Sequence, residues 1–232
     1  MSRIGIVVGM LAEAERAGAA AIATGFDPLV FVAGANPARA QQGACDLLRQ
    51  GAAALLSFGL AGGLDPTLAP GDPVVASAVV MPEGTRVETD AVWRSGLARA
   101  LSARGRIVAS GPIAGADHVV ATKAEKASLR LRTGAVAVDT ESHGVARAAQ
   151  EAGVPLMAIR VVLDPASRAL PSAAIAGLGA DGQTRLLPVL CRLLLKPWQV
   201  PALAALGRAH EEALEALGRL AADLGPAFGF RV

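Results

Sequence analysis

The chain has 232 residues, enough for one large domain with a sizeable core. Hydrophobic residues make up 53% and aromatic residues only 3%, so small apolar side chains do most of the packing. A net charge of +2, with charged residues at 18% and no long basic cluster, excludes the electrostatic footprint of a nucleic-acid-binding protein.

The opening stretch MSRIGIVVGM has no signal-peptide cleavage pattern. No segment offers the roughly 18 uncharged apolar residues of a membrane-spanning helix, so the expectation is a cytoplasmic protein. Ile4 to Val8 is a short β-branched run and reads as a buried first strand. AEAERAGAAAIAT follows as a helix ending near Gly25, and Val30 to Ala33 as a strand. Residues 37–50 form a helix with proline near its start and Gly51 at its end. ALLSFG, DPVVASAVVM, GRIVASGPIA and GAVAVD read as further strands. Ser142 to Ala152 is a helix closed by Gly153, and PLMAIRVVL is one more strand.

Strands alternating with helices through residue 164 predict an α/β fold: a single-domain three-layer α/β/α sandwich around a central mixed, largely parallel sheet. Residues 165–182 read as loop. Two helices follow as a C-terminal extension over 183–232. The first, TRLLPVLCRLLLKPW at 184–198, carries Arg185, Arg192 and Lys196 as a basic stripe on a leucine-rich helix. The second, roughly 200–223, repeats Leu203, Leu206, His210, Leu214, Leu217 and Leu220 along one face. Cys45 and Cys191 have no ligand-like spacing and read as reduced packing thiols, a disulfide between them being the alternative. His118, His143 and His210 are scattered, and no zinc pattern can be built from them.

In open α/β sheets, ligands sit at the carboxyl ends of the strands. That rule singles out Met10 and Glu13, Gly59 to Gly63, Asp117 and His118, Asp139 and Glu141, and Asp164. Two acids at the mouth of the apolar strand Ala135 to Val138 are costly unless something uses them. The glycines of GLAGG after the strand ALLSF would let backbone N–H groups approach an anion or a sugar hydroxyl, with a tight turn as the alternative. The pattern is neither a phosphate-binding Walker loop nor a dinucleotide fingerprint.

GLAGGLDPTLAPGDPVVA resembles the glycine-rich signature of the purine nucleoside phosphorylase and methylthioadenosine nucleosidase superfamily. IGIVVGMLAEAE resembles the first strand and acidic loop of the nucleosidases. AVDTESHGVARAAQEAGVPLMAIRVVLDPA resembles their E-x-E stretch, helix and following strand ending in aspartate. The similarity covers roughly residues 1–165.

The resemblance implies roles. Glu141, the second acid of the pair, would bind ribose hydroxyls, as an acceptor-only carboxylate can. Asp139 stands for the usual first glutamate as a supporting acid. Thr140 stands where a methionine usually packs on the ribose, so that wall differs and leaves room. Asp164 would protonate the purine N7, a general-acid contribution of about 10²–10⁴-fold. Its alternative reading is a cap on the following loop. Glu13 would activate water, the alternative being a solvated first-turn residue. Met10 would lie near the sugar, and Arg160 would orient the site acids and the ribose. GADHVVATKAEK corresponds to the base-reading loop, giving Asp117, His118, Val119 and Val120. Val119 falls near the place of the usual stacking aromatic, and His118 is either a sugar contact or an ordinary loop residue.

The implied reaction is N-glycosidic cleavage of an adenine nucleoside with no metal or organic cofactor. Inorganic phosphate is a co-substrate only if the reaction is phosphorolytic. Hydrolysis is favoured because the first loop is acidic and no arginine follows LLSFGLAGG. Arg39 or a neighbouring subunit is the alternative source of a phosphate site. The C-terminal segment PSAAIAGLGADGQTRLLPVLCRLLLKPWQVPALAAL resembles the hopanoid-associated branch, which is taken to release adenine from adenosylhopane. The alternatives are a small nucleoside such as methylthioadenosine or adenosylhomocysteine, and a non-enzymatic binding protein that would have lost these acids. The resemblance further implies a homo-oligomer. The 184–198 helix could line a lipid tunnel, touch a membrane peripherally, or pack in a core or subunit interface.

Overall fold

The computed structural model describes residues 3–22, 29–176 and 195–230. Eight strands form one mixed sheet in the order β2-β1-β3-β7-β6-β4-β5, with β8 pairing both β3 and β4. The strands are β1 (Arg3–Val8), β2 (Leu29–Val32), β3 (Ala52–Gly63), β4 (Pro73–Val80), β5 (Arg86–Glu88), β6 (Ala109–Gly115), β7 (Ala137–Asp139) and β8 (Leu156–Asp164). The pairings β1–β2, β1–β3, β3–β8, β4–β6 and β6–β7 are parallel, and β3–β7, β4–β5 and β4–β8 antiparallel. The sheet is therefore mixed and mostly parallel, as the alternation of elements predicts. It is not open along its whole width, because β3, β8, β4, β6 and β7 pair successively into a closed ring.

Helices cover both faces. Alternation along β1 sends Val7 into the core under α2 (Pro37–Arg49) and α5 (Ser142–Ala152). Ile4, Ile6 and Val8 enter the opposite core. There they meet α1 (Leu11–Ile22), α3 (Ala91–Ser102) and the long C-terminal helix α7 (Val200–Leu224). The helices α2 and α5 approach closely because Gly144 faces the Pro37 carbonyl, where a Cβ would stand 2.3 Å away.

Helix boundaries follow local chemistry. Asn36 accepts from the Arg39 N–H and caps α2, with Pro37 at its first position. Gly153 adopts φ +65° and closes α5, as the sequence implies. In α7 the apolar stripe is buried from Leu206 through Leu214, Leu217 and Leu220 to Leu224, whereas Leu203 and His210 are half-buried.

Several elements differ from the sequence-based reading. The glycines Gly59 to Gly63 belong to β3 rather than to a loop, because β8 pairs along that stretch and β7 joins at Gly62 and Gly63. Two helices and a strand lie where no element is expected. They are α3, whose Trp93, Leu97 and Leu101 are buried, α4 (Lys123–Thr133), and β5. The 165–182 stretch contains a five-residue helix, α6 (Ser172–Ala176), over the buried Ala173. Most of the expected 184–198 helix, with Arg185, Arg192 and Cys191, lies outside the described residues. Cys45 is a free, half-buried thiol. Among the described residues no helix is long and apolar enough to cross a membrane.

Leu217 is fully buried between α7 and the sheet. Leu217→Ala should lower unfolding free energy by about 2–5 kcal/mol in urea titrations, the range for a buried leucine truncated to alanine. A loss below about 1 kcal/mol would show that α7 is not integral to this core.

Candidate active site

The carboxyl ends of β1, β2, β6, β7 and β8 converge with the second half of β3 around a cavity of about 160 Å³. Its lining includes Met10, Glu13, Ala61, Gly62, His118, Val119, Val120, Asp139, Thr140, Glu141 and Asp164. Residues spread over 155 positions of chain thus meet in one place, as the strand-end rule requires.

Arg160 organises the back wall. It lies in the middle of β8 and is fully buried. Its Nε donates to Asp139 Oδ2 in a short ion pair. Nη2 donates to Ser57 Oγ at 2.6 Å and Ser142 Oγ at 3.1 Å, and lies 3.7 Å from Glu141 Oε2. Nη1 is buried without a hydrogen-bond partner among the described residues, on the side of Gly59 and Glu13.

Asp139 serves two ends at once. Oδ2 holds Arg160 and accepts from the Ser142 hydroxyl, and Oδ1 accepts the Ser142 N–H at 2.9 Å and the Glu141 N–H at 3.2 Å. A carboxylate at the start of α5 satisfies orphan N–H groups and complements the helix dipole.

Glu141 stands in front of Arg160 and receives a hydrogen bond from Thr140 Oγ1 at 2.7 Å. The Thr140 hydroxyl is therefore engaged locally, beside the cavity it lines. Burial pushes the Glu141 carboxyl up to about 8; Arg160 opposes that rise, and the negative charges of Asp139 and Glu13 add to it.

Glu13 is buried in the first turn of α1, not solvated there. Oε2 accepts the N–H groups of Gly9 at 2.8 Å and Met10 at 2.9 Å, and Oε1 accepts that of Leu60 at 2.8 Å. Burial raises its pKa, against Arg160 and these three N–H donors. This geometry explains Gly59. A Cβ there would stand 2.6 Å from Arg160 Nη1 and 2.7 Å from Glu13 Oε1. The glycine admits two charged side chains to the strand, and the N–H that follows it meets Glu13 rather than a ligand. Gly63 packs on Val162 and the Asp164 backbone, so of Gly59 to Gly63 only Leu60, Ala61 and Gly62 line the cavity.

Asp164 ends β8, and its side chain is paired with Lys126 of α4. Lys126 is 1% exposed, and its ammonium also donates to the carbonyls of Pro165 at 2.9 Å and Arg168 at 3.2 Å. Burial raises the Asp164 pKa, and the Lys126 charge opposes that rise. The sequence reading missed Lys126. A signal exists: Lys126, Leu129, Arg130 and Thr133 make the inward stripe of α4 at helical spacing, with a lysine at its head. Ser57 and Ser142 were also unforeseen, since lone serines carry no pattern.

Asp117 does not join the cavity. Its carboxylate is 70% exposed and turns to His143 Nε2 at 3.3 Å, because Gly115 lets the His143 ring stand against the end of β6. Arg39 lies on the exposed side of α2, donates to the Val32 carbonyl at 3.3 Å and does not line the cavity. Four carboxylates line the cavity and no arginine or lysine does, among the described residues. The two nearby buried cations, Arg160 and Lys126, stand behind these acids. Among the described residues no three histidine, cysteine or carboxylate side chains are placed so that they could hold a metal ion together.

The family model of the Phosphorylase superfamily matches residues 21–193. The chain belongs to that superfamily. As a superfamily member it has solved structural relatives of the same fold. A methylthioadenosine/adenosylhomocysteine nucleosidase of Neisseria meningitidis, in complex with methylthio-immucillin-A, aligns over 97% of this chain and 98% of its own at 17% identity and TM-score 0.74. The corresponding nucleosidase of Helicobacter pylori aligns over 72% and 86% at 22% identity and TM-score 0.66. Futalosine hydrolase of Helicobacter pylori aligns over 83% and 98% at 20% identity and TM-score 0.66. At such identities the likeness concerns the fold. No curated protein matches the chain.

Two measurements test the geometry. Glu141 holds a proton more tightly folded, near pH 8, than its ordinary value of 4.5. Its contribution to stability therefore falls as pH rises through that window. Glu141→Gln should match the wild type near pH 5 and gain melting temperature relative to it near pH 9; a pH-independent difference would contradict the shift. Gly59→Ala should destabilise by about 1–3 kcal/mol, as overpacking does, with retained stability refuting the close approach.

Proposed function

We propose that the chain hydrolyses the N-glycosidic bond of an adenine nucleoside. The observation that carries this reading is the four-carboxylate lining, with no arginine or lysine facing the cavity among the described residues. As the C1′–N9 bond breaks, its electron pair moves to the base and positive charge develops on the sugar. Carboxylates preorganised in a buried site stabilise that charge. Asp164 delivers a proton to N7, so adenine leaves neutral. Water adds to C1′, and Glu13, whose burial raises its proton affinity, takes the released proton. Glu141 accepts from the ribose diol while Arg160 and Asp139 hold it in place. An acidic cavity repels a phosphate dianion, which favours water as nucleophile.

For the substrate, a lipid-linked nucleoside of the adenosylhopane type is supported by the C-terminal resemblance and by Thr140 at the ribose wall. Leu195, Trp198 and Val200 are exposed at the approach to α7, apolar surface suited to a lipid or a subunit. A small 5′-thio nucleoside is the second reading, favoured by the compact cavity and by the nucleosidases that share the fold.

Adenine release should be followed with adenosylhopane and with methylthioadenosine, each with and without phosphate, with mass analysis of the sugar product. The expected outcome is phosphate-independent release from adenosylhopane, leaving a ribosyl hopane. Robust turnover of methylthioadenosine alone selects the second reading, and a phosphoribosyl product overturns hydrolysis. Asp164→Asn should retain nucleoside binding and lose about 10²–10⁴-fold in turnover, as removal of a general acid does. Wild-type turnover would remove Asp164 from the chemistry.

A further inference from the structure

Lys126 is the buried charge that the reaction as written leaves unused. An ammonium out of water needs its protons taken up by acceptors, and here four oxygens surround it. They are Asp164 Oδ2 in a short ion pair, the Pro165 and Arg168 carbonyls at 2.9 and 3.2 Å, and the Asp164 carbonyl at 3.4 Å. All four belong to the residues that end β8 and turn away from it. The lysine is placed just as firmly from its own side. Thr122 and Glu125 form a reciprocal capping box that fixes the first turn of α4, which begins at Lys123, three residues before it. The Leu170 N–H donates to the Ala121 carbonyl at 2.8 Å, a second tie between the same two segments. The loop with His118, Val119 and Val120 and the segment with Asp164 and Leu170, which both line the cavity, are thereby clamped together.

The two oxygens of Asp164 are consequently unlike. Oδ2 is held by Lys126. Both oxygens lie near Gly62 of the cavity wall, Oδ1 at 3.5 Å and Oδ2 at 3.7 Å from where a Cβ would be, but Oδ1 accepts no hydrogen bond among the described residues.

From this geometry we infer that Lys126 is a positioning residue for Asp164, pinning Oδ2 so that Oδ1 alone presents the transferable proton to the leaving base. The inference rests on Asp164 being the acid of the proposed reaction. In the transfer, the Oδ1–H bond breaks, the N7–H bond forms, and Asp164 is left as a carboxylate whose charge Lys126 balances. The lysine keeps its own protons throughout. The neighbouring cation also sets the acid's strength: burial alone would make Asp164 a weak acid that releases its proton reluctantly, and Lys126 works against that. The groups facing Asp164 in this role are Lys126 from α4 and the more distant Arg168, with no other carboxylate shifting it.

The test uses the full chain and the adenine-releasing substrate found active, with kcat followed against pH. Lys126→Gln keeps a donor for the carbonyls but removes the charge. Its kcat should fall about 10²-fold, the scale of a small misplacement of a reacting group, with KM changed little. The basic limb of its profile should move to higher pH by about 1–3 units, because Asp164 without its cation holds the proton longer. Lys126→Arg restores the charge and should return the basic limb to the wild-type position. Its planar fork cannot reproduce the four contacts of the ammonium, so kcat should stay reduced. A folded Gln variant with the wild-type profile overturns the proposal. Should the Gln variant not fold, an Arg variant with wild-type kcat overturns it equally. The parent reading fails separately: Asp164→Asn at wild-type turnover sinks both, whereas an inactive Asn variant beside an unshifted Gln profile sinks only the role of Lys126.

Discussion

One buried guanidinium holds this site together. An unpaired charge in a protein interior is prohibitively unfavourable, so Arg160 exists at the centre of β8 only because Asp139, Ser57 and Ser142 meet it there. Each partner ties down a different element. Asp139 fixes the end of β7 and the start of α5, and through that start it fixes the backbone of Glu141. Ser57 anchors β3. On its other side Arg160 faces Glu13, whose hydrogen bonds join the β1–α1 turn to Leu60 of β3. Polar networks of this kind are rigid when nearly complete, and among the described residues Arg160 leaves one guanidinium nitrogen without a partner.

The arrangement leaves the cavity with more acid than base. Four carboxylates stand against two buried cations; burial is the main cause of the raised proton affinity of Glu141, and the neighbouring charges of Asp139 and Glu13 add to it. Such a site is electrostatically uncomfortable when empty and suited to a ligand that becomes positively charged. Stability withheld from the resting protein is then available where positive charge develops, a trade-off common at functional sites.

How far this was legible in the sequence depends on the kind of signal. Glu13, Glu141 and Asp164 each follow an apolar strand, and strand ends on one side of a sheet must meet; their convergence could be read without coordinates. Gly59 to Gly63 could not be placed as strand, because glycine locally signals a turn and only the neighbours β8 and β7 hold it extended. Lys126 was hidden for the opposite reason. It occupies an inward position where periodicity leads one to expect an apolar side chain, and its partner is 38 residues away. The helix α3 had legible cues, with the cap at Asp90 and apolar residues at Trp93, Leu97 and Leu101, but its role is packing, and the chemistry did not lead there.

The closed ring of β3, β8, β4, β6 and β7 also bears on how the chain is made. The ring cannot close until β8 emerges, since β8 is the strand that joins β3 to β4. Pairing across such sequence distances is intrinsically slow, and Arg160 arrives on that last strand. During synthesis, Glu13, Asp139 and Glu141 therefore precede the cation they gather around, and can stay hydrated until it comes. The apolar edges of β3 and β4 wait with them. Among the described residues the open sheet edges belong to β2 and β5, four and three residues long, and short edges offer little template for another chain. The same strand that completes the charge network thus removes the edges most prone to aggregation.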